Sequence, residues 1–293
     1  MPHAIVLAGS RGMGKKARAR VLAAGYLGLP GEHALAGCPY YLETADPSVE
    51  NVRNISRFVA LQAFGRSRRC VVFFDAHKLS PQAQNALLKS LEEPPADTLF
   101  LLTGNEAGLL PTIRSRCMIL RLGASPVDEV ARELETEGVP QARARLAASL
   151  SGGVLGLARE YAGEEFTAFR AHVIAEIEKL LFGLPPYLSL ATLLSGQAEG
   201  GGKKKSTVQP EPLRQFLAIL SSLLRDALAE KEGSRDAVNT DKAALIEKFT
   251  SRFTFARIQR MIKRTLAAER HLQQNGNAGL VLDWLLAQLT IDN

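Results

Sequence analysis

The chain has 293 residues, of which 46% are hydrophobic, 23% charged and 6% aromatic, values that exclude the disordered and fibrous classes and predict two or three globular domains. No run approaches the ~18 uncharged apolar residues of a membrane span, and a glycine-rich loop follows the first apolar run too closely for a secretory leader, so a cytoplasmic chain with no membrane partner is expected. The net charge of +6, from 36 Lys and Arg against 30 Asp and Glu, permits an acidic partner without requiring one.

Five strand-length apolar runs come first, at 4–9 (AIVLAG), 39–45 (PYYLETA), 69–76 (RCVVFFDA), 97–104 (DTLFLLTG) and 116–122 (RCMILRL). Between them, 49–65 carries Val52, Ile55, Phe58, Val59 and Gln62 at helical spacing, and 80–93 carries Ala83, Leu87, Leu88 and Leu91. Strands apolar on both faces and alternating with helices predict a parallel sheet covered on both sides, an α/β domain over 1–122. Beyond Leu122 the strand signal stops. Pro126, the Gly138-Val139-Pro140 break and Ser151-Gly152-Gly153 predict a small three-helix lid over 123–163. A helical domain is predicted over 164–293. In it Phe166, Phe169, Val173, Ile177, Leu180 and Leu181 form one apolar face, and 212–230, 239–251, 254–274 and 278–290 give further helices. The stretch 196–212, with EGGGKKKS and two prolines, reads as a flexible surface loop, with a functional basic patch as the competing reading.

Residues 9–16, GSRGMGKK, follow a strand and open a helix, which is where a GxxxxGK[ST] phosphate loop turns its backbone N–H groups toward phosphate oxygens. Gly9, Gly14 and Lys15 match that pattern. Position 16, which should offer a hydroxyl to Mg²⁺, is Lys16, and an ammonium cannot coordinate a cation. A plain βα turn without a ligand is the competing reading. Asp75 ends the third run, at the sheet edge where a second metal-binding acid belongs, and the next residue is Ala76 where a hydrolytic site carries a water-orienting acid. The two gaps are independent and predict a domain without hydrolysis. Asp75 with Lys15 is a candidate ion pair replacing metal and nucleotide; His77 and Lys78 read as surface or interface residues.

Three segments, NALLKSLEEPPADTLFLLTGN (85–105), LLPTIRSRC (109–117) and HLQQNGNAGLVLDWLLAQL (271–289), resemble the delta-prime subunits of the bacterial DNA polymerase III clamp loader and, more widely, AAA+ clamp-loader subunits. The resemblance implies an AAA+ domain, a three-helix lid and an all-α collar domain. Its implied partners are the other subunits of a heteropentameric ring and, through that ring, a sliding clamp and primer-template DNA. It also implies the ATPase-silent stator role, with which Lys16 and Ala76 agree. Ser115-Arg116-Cys117 matches the family's SRC motif, so Arg116 is implied to reach a neighbour's ATP as an arginine finger, a planar, permanently charged donor. A solvated arginine before a strand is the bland alternative. Thr103 and Asn105 fall where the family carries a γ-phosphate sensor, and a strand cap competes.

The sequence also departs from the family. Family members carry a four-cysteine zinc module after the phosphate loop; here Cys38, Cys70 and Cys117 have no paired spacing, so neither zinc nor a disulfide is expected. The chain starts almost at its first strand, which removes the helix and loop expected around adenine. No cofactor is expected to be required, and residual ATP or ADP binding at Gly9, Gly14, Lys15, Lys16, Asp75 and Thr103 is expected to be weak. In the lid, Leu157 stands where family members place an arginine sensor, two residues before Arg159. Two other functions compete with the stator: an active AAA+ motor ATPase, and a phosphate-loop nucleic-acid-binding regulator relying on Arg18, Arg20, Arg66, Arg68 and Arg69.

Overall fold

A computed structural model of the chain describes residues 2–46, 48, 50, 52, 54–55, 59, 68–183, 187–195, 208–234, 236–274 and 276–290. It divides into two compact units, Met1–Ala124 and Ser125–Asn293.

The first unit is built on β1 (Ala4–Ala8), β2 (Tyr41–Thr44), β3 (Arg69–Phe73), β4 (Thr98–Gly104) and β5 (Met118–Arg121). All pairings are parallel, and the strand order is β2-β3-β4-β1-β5. This is the parallel α/β sheet expected for the AAA+ fold class. The three central strands are buried along their whole length, which is why they read as unbroken apolar runs and not as alternating ones.

Each face has its own cover. Helix α1 (Lys15–Leu27) presents only Ala19, Ala23 and Ala24 as buried residues, small enough for close approach to Leu7, Val72 and Leu101. Helix α2 (Pro81–Glu92) is capped by the Ser80 hydroxyl, which accepts from the Ala83 N–H, and has Pro81 in its first turn, where no N–H is needed. It packs Ala83, Leu87 and Leu91 against Phe73, Phe100 and Leu102. Residues 50, 52, 54, 55 and 59 are helical, with Val52, Ile55 and Val59 buried; the predicted helix positions Phe58 and Gln62 lie outside the described residues. A single turn, α3 (Pro111–Arg114), leads into β5. As the edge strand, β5 leaves Met118 54% and Leu120 41% exposed.

In the second unit the short helices are α4 (Val127–Thr136), α5 (Gln141–Leu150) and α6 (Leu155–Tyr161). They break at Gly138, Gly152 and Gly153, all with positive φ. After them come α7 (Glu164–Phe182), α8 (Tyr187–Leu193), α9 (Pro210–Lys231), α10 (Ala243–Arg252), α11 (Phe255–Gln273) and α12 (Ala278–Thr290). One apolar core runs from Val130 and Leu134 through Phe166 and Phe216 to Leu289. The Tyr161 ring stacks on Phe166 with centroids 4.2 Å apart. Most of the predicted loop, residues 196–207, lies outside the described residues, whereas 210–212 form the first turn of α9 with prolines where a helix tolerates them. A buried polar network links α7 to α9: Arg170 donates to Asp241 (2.7 Å) and Asn239 (2.8 Å), and Asn239 donates to Asp226 (2.8 Å) and Ser222 (2.8 Å).

Candidate functional site

The loop between β1 and α1 turns through glycines. Gly12 has φ +83° and Gly14 φ +67°, a left-handed backbone at the N-cap of α1; the strain for a side chain there is conformational, since a Cβ on Gly14 meets nothing within 4 Å. At Gly9 the constraint is different, because a Cβ would meet the Met13 sulfur at 3.0 Å and the Leu122 carbonyl at 3.3 Å. The Lys15 ammonium folds back on the loop, donating to the carbonyls of Gly9 (2.9 Å) and Ser10 (2.7 Å). Its burial lowers its pKa, while Asp75 nearby pulls the other way.

The anticipated pairing of Asp75 with Lys15 gives way to a different one. Asp75 faces Lys16 at 3.6 Å and Lys78 at 3.4 Å, because Lys15 is held by its own loop carbonyls. Burial alone would raise the Asp75 pKa; Lys78 and Lys16 outweigh it and hold the carboxyl below its ordinary value. The Lys16 ammonium also lies 5.3 Å from the centre of the Phe74 ring. Thr103, fully buried in β4, accepts the Asp75 backbone N–H at 3.0 Å. It therefore fixes the left-handed residue Asp75 (φ +52°), at the sheet edge reached by the phosphate loop. Asn105 caps the next turn, accepting from the Ala107 N–H. Ala76 is buried and supplies no proton acceptor. His77 is more enclosed than a surface residue: it presses on Gly104 and Gly108, where an added Cβ would come within 2.6 Å and 2.8 Å of it. Burial lowers its pKa against the pull of Asp75.

Arg116 lies elsewhere. β5 runs parallel to β1 with Ile5 level with Met118 and Ala8 level with Arg121. The phosphate loop leaves the C-terminal end of β1 and Arg116 precedes the N-terminal end of β5, so the two stand at opposite sheet edges, about 16 Å of strand rise apart. The guanidinium pairs with Glu92 at 2.7 Å and donates to the Thr112 carbonyl (3.0 Å) and Ser115 hydroxyl (3.3 Å), with 37% of its side chain exposed. The turn that carries it is anchored by Gln84, a buried amide that donates to the carbonyls of Leu79 (3.1 Å) and Gly108 (3.1 Å) and accepts from the Leu110 N–H (2.8 Å).

Residues 41–126 match the family described as DNA polymerase III, delta subunit, and residues 206–290 match the family of its C-terminal region. The chain is 36% identical over 203 residues to DNA polymerase III subunit delta' of Pseudomonas aeruginosa, an alignment covering 61% of each chain. It is 32% identical over 223 residues to the delta' subunit of Escherichia coli, covering 73% of this chain and 60% of that one. Over these stretches the chain is similar to the delta-prime subunits of DNA polymerase III. It spans about 60% of the length of those two relatives. Over a shorter stretch it is similar to DNA polymerase III subunit tau of Salmonella typhimurium, 35% identical over 154 residues and covering 45% of this chain and 23% of that subunit.

Among the other expected positions, Arg159 pairs with Glu133 (3.0 Å) and Glu137 (2.5 Å) inside the second unit. Of the arginines behind the regulator reading, Arg20 forms a bidentate pair with Glu43, Arg68 donates to the Tyr26 carbonyl and Arg69 is buried against the Val59 carbonyl. Arg66 lies outside the described residues. The three thiols are free, and burial pushes Cys70 up to about 12 and Cys117 up to about 11, the behaviour of structural cysteines. No helix among the described residues is long and apolar enough to cross a membrane. Sequence reasoning missed Glu92, which lies in the recognised 85–105 segment, and Gln84, which lies just before it in the predicted helix 80–93; the spacing to their partners gave no local signal.

Proposed function

We propose that this chain is a delta-prime subunit, the ATPase-silent stator of a heteropentameric clamp-loader ring, with Arg116 acting in trans on the ATP held by a neighbouring subunit. The observation that carries this reading is the placement of Arg116 at the sheet edge opposite its own phosphate loop, further than its side chain can extend. An arginine so placed has no γ-phosphate of its own to serve. The hydrolytic groups missing from the loop, a hydroxyl at Lys16 and an acid at Ala76, support the same division of labour. The partners are the other ring subunits, with the sliding clamp and primer-template DNA engaged through the assembled ring; no nucleotide or zinc in this chain is required.

The test is a reconstituted ring carrying Arg116→Ala in this chain alone. Assembly and the neighbour's ATP binding should persist while hydrolysis at that neighbour slows, since arginine fingers contribute roughly 10³ to 10⁵ in rate. Magnesium-dependent phosphate release by the isolated chain, abolished by Lys15→Ala, would instead establish an active motor subunit.

A further inference from the structure

Phosphate loops of this fold usually bind Mg²⁺ between a Ser or Thr hydroxyl and an aspartate, in near-octahedral oxygen geometry at about 2.1 Å. The residues here do not suit that ion. The hydroxyl position is Lys16, and its ammonium lies 3.6 Å from the Asp75 oxygen that would face the metal. Lys78 takes the same oxygen from the other side at 3.4 Å. A divalent ion reaching Asp75 would displace both ammonium groups and find an ammonium, not a hydroxyl, at position 16. Two cations, Lys16 and Lys78, meet one carboxylate, and a third, Lys15, is held on the loop within its electrostatic reach, a balance that attracts an anion and repels Mg²⁺.

The parts that hold phosphate are retained. Gly12 and Gly14 keep the positive φ of the loop, and α1, thirteen residues long, opens directly from it. Lys15 donates to the loop carbonyls of Gly9 and Ser10, contacts that a phosphate oxygen can replace. Lys16 projects from the first turn of the same helix, and its side chain is 54% exposed, so it can bridge between Asp75 and an incoming phosphate.

We propose that the loop is a metal-free polyphosphate site in which the tethered Lys16 ammonium takes the place of the divalent cation, so that ADP binds uncomplexed and Mg²⁺ opposes its binding. The inference rests on reading the loop as hydrolytically silent and adds the ionic form of its ligand. Complexation by Mg²⁺ cancels part of the diphosphate charge and brings a second cation against Lys16.

The test is calorimetric titration of the full chain with ADP, in EDTA and in excess Mg²⁺. Affinity should be roughly tenfold higher in EDTA, a repulsion of the order expected for partly screened charges a few ångströms apart. Lys16→Thr should reverse the sign, with Mg²⁺ now strengthening binding. Lys16→Met, which removes the ammonium and adds no oxygen ligand, should weaken binding in EDTA. Because the side chain is half-exposed, both variants should unfold at the native temperature. Tighter binding in Mg²⁺, equal affinity in both buffers, or no binding in either would overturn the proposal. None of those results touches the trans role of Arg116, which is read from the neighbour's hydrolysis rate.

Discussion

The guanidinium of Arg116 and the carboxylate of Glu92 lie 2.7 Å apart, joining the turn before β5 to the last residue of α2. Both side chains are more than a third exposed, so solvent screens the pair and its contribution to folding is small. Glu92→Gln should change unfolding free energy by less than about 1 kcal/mol. Urea denaturation of the two proteins measures this, and a loss of several kcal/mol would show that the pair is a structural anchor and not a screened surface contact.

Gln84 has the opposite balance. Its buried amide satisfies two carbonyls and one N–H at the entry to the Arg116 turn. Gln84→Leu keeps much of the volume and orphans all three groups, at a cost of about 1–3 kcal/mol for each buried group that water cannot reach. Hydrogen exchange should show lost protection at the Leu110 amide first. Unchanged exchange there would remove Gln84 from the support of the Arg116 turn.

The strands were legible because a sheet buried on both faces writes unbroken apolar runs, and the phosphate loop because its glycines are close in sequence. Which cation meets Asp75 was not legible. Lys15 and Lys16 are neighbours, and only the folded loop decides that the first is tied to Gly9 and Ser10 while the second reaches the carboxylate. The 278–290 helix was legible as a helix, yet not which of its apolar residues it buries: Leu282, Leu285 and Leu289 are core residues, whereas Leu280 and Trp284, one turn apart, face outward. Pairings such as Arg116 with Glu92 depend on elements distant in sequence and leave no periodicity to read.

That division of α12 yields a prediction for assembly. Leu280 is 69% exposed and Leu285 is fully buried. Leu280→Asp should leave the unfolding transition nearly unchanged and, in the proposed ring, reduce co-elution with partner subunits by placing a charge on an exposed apolar face. Leu285→Ala should instead destabilise the chain by about 2–5 kcal/mol. Normal ring entry by Leu280→Asp would place the assembly surface elsewhere.

The Arg170 network predicts a pH dependence. At Asp241, burial alone would raise the pKa, but hydrogen bonds and charge from Arg170 outweigh it and depress the folded-state value below the ordinary 3.8. A depressed carboxyl gives stability that is fully present above its unfolded pKa and is lost as pH falls through the folded value. Stability from this group should therefore be constant near neutrality and decline below about pH 4. Asp241→Asn should flatten that part of the acid limb in urea titrations repeated across pH. An unchanged slope would mean that Asp241 is equally paired in the unfolded chain.

In the proposed stator role this chain serves a neighbour's chemistry and performs none of its own. Single-turnover ATP hydrolysis, resolved at the site adjacent to Arg116 in a fully assembled ring, tests it most directly. With Arg116→Ala present, that site should slow by orders of magnitude at unchanged ATP occupancy. Arg116→Lys should rescue it poorly, because lysine keeps the charge and loses the planar fork. Hydrolysis there at the native rate with Arg116→Ala in place would contradict the account and leave Arg116 as a solvated arginine at the head of an edge strand.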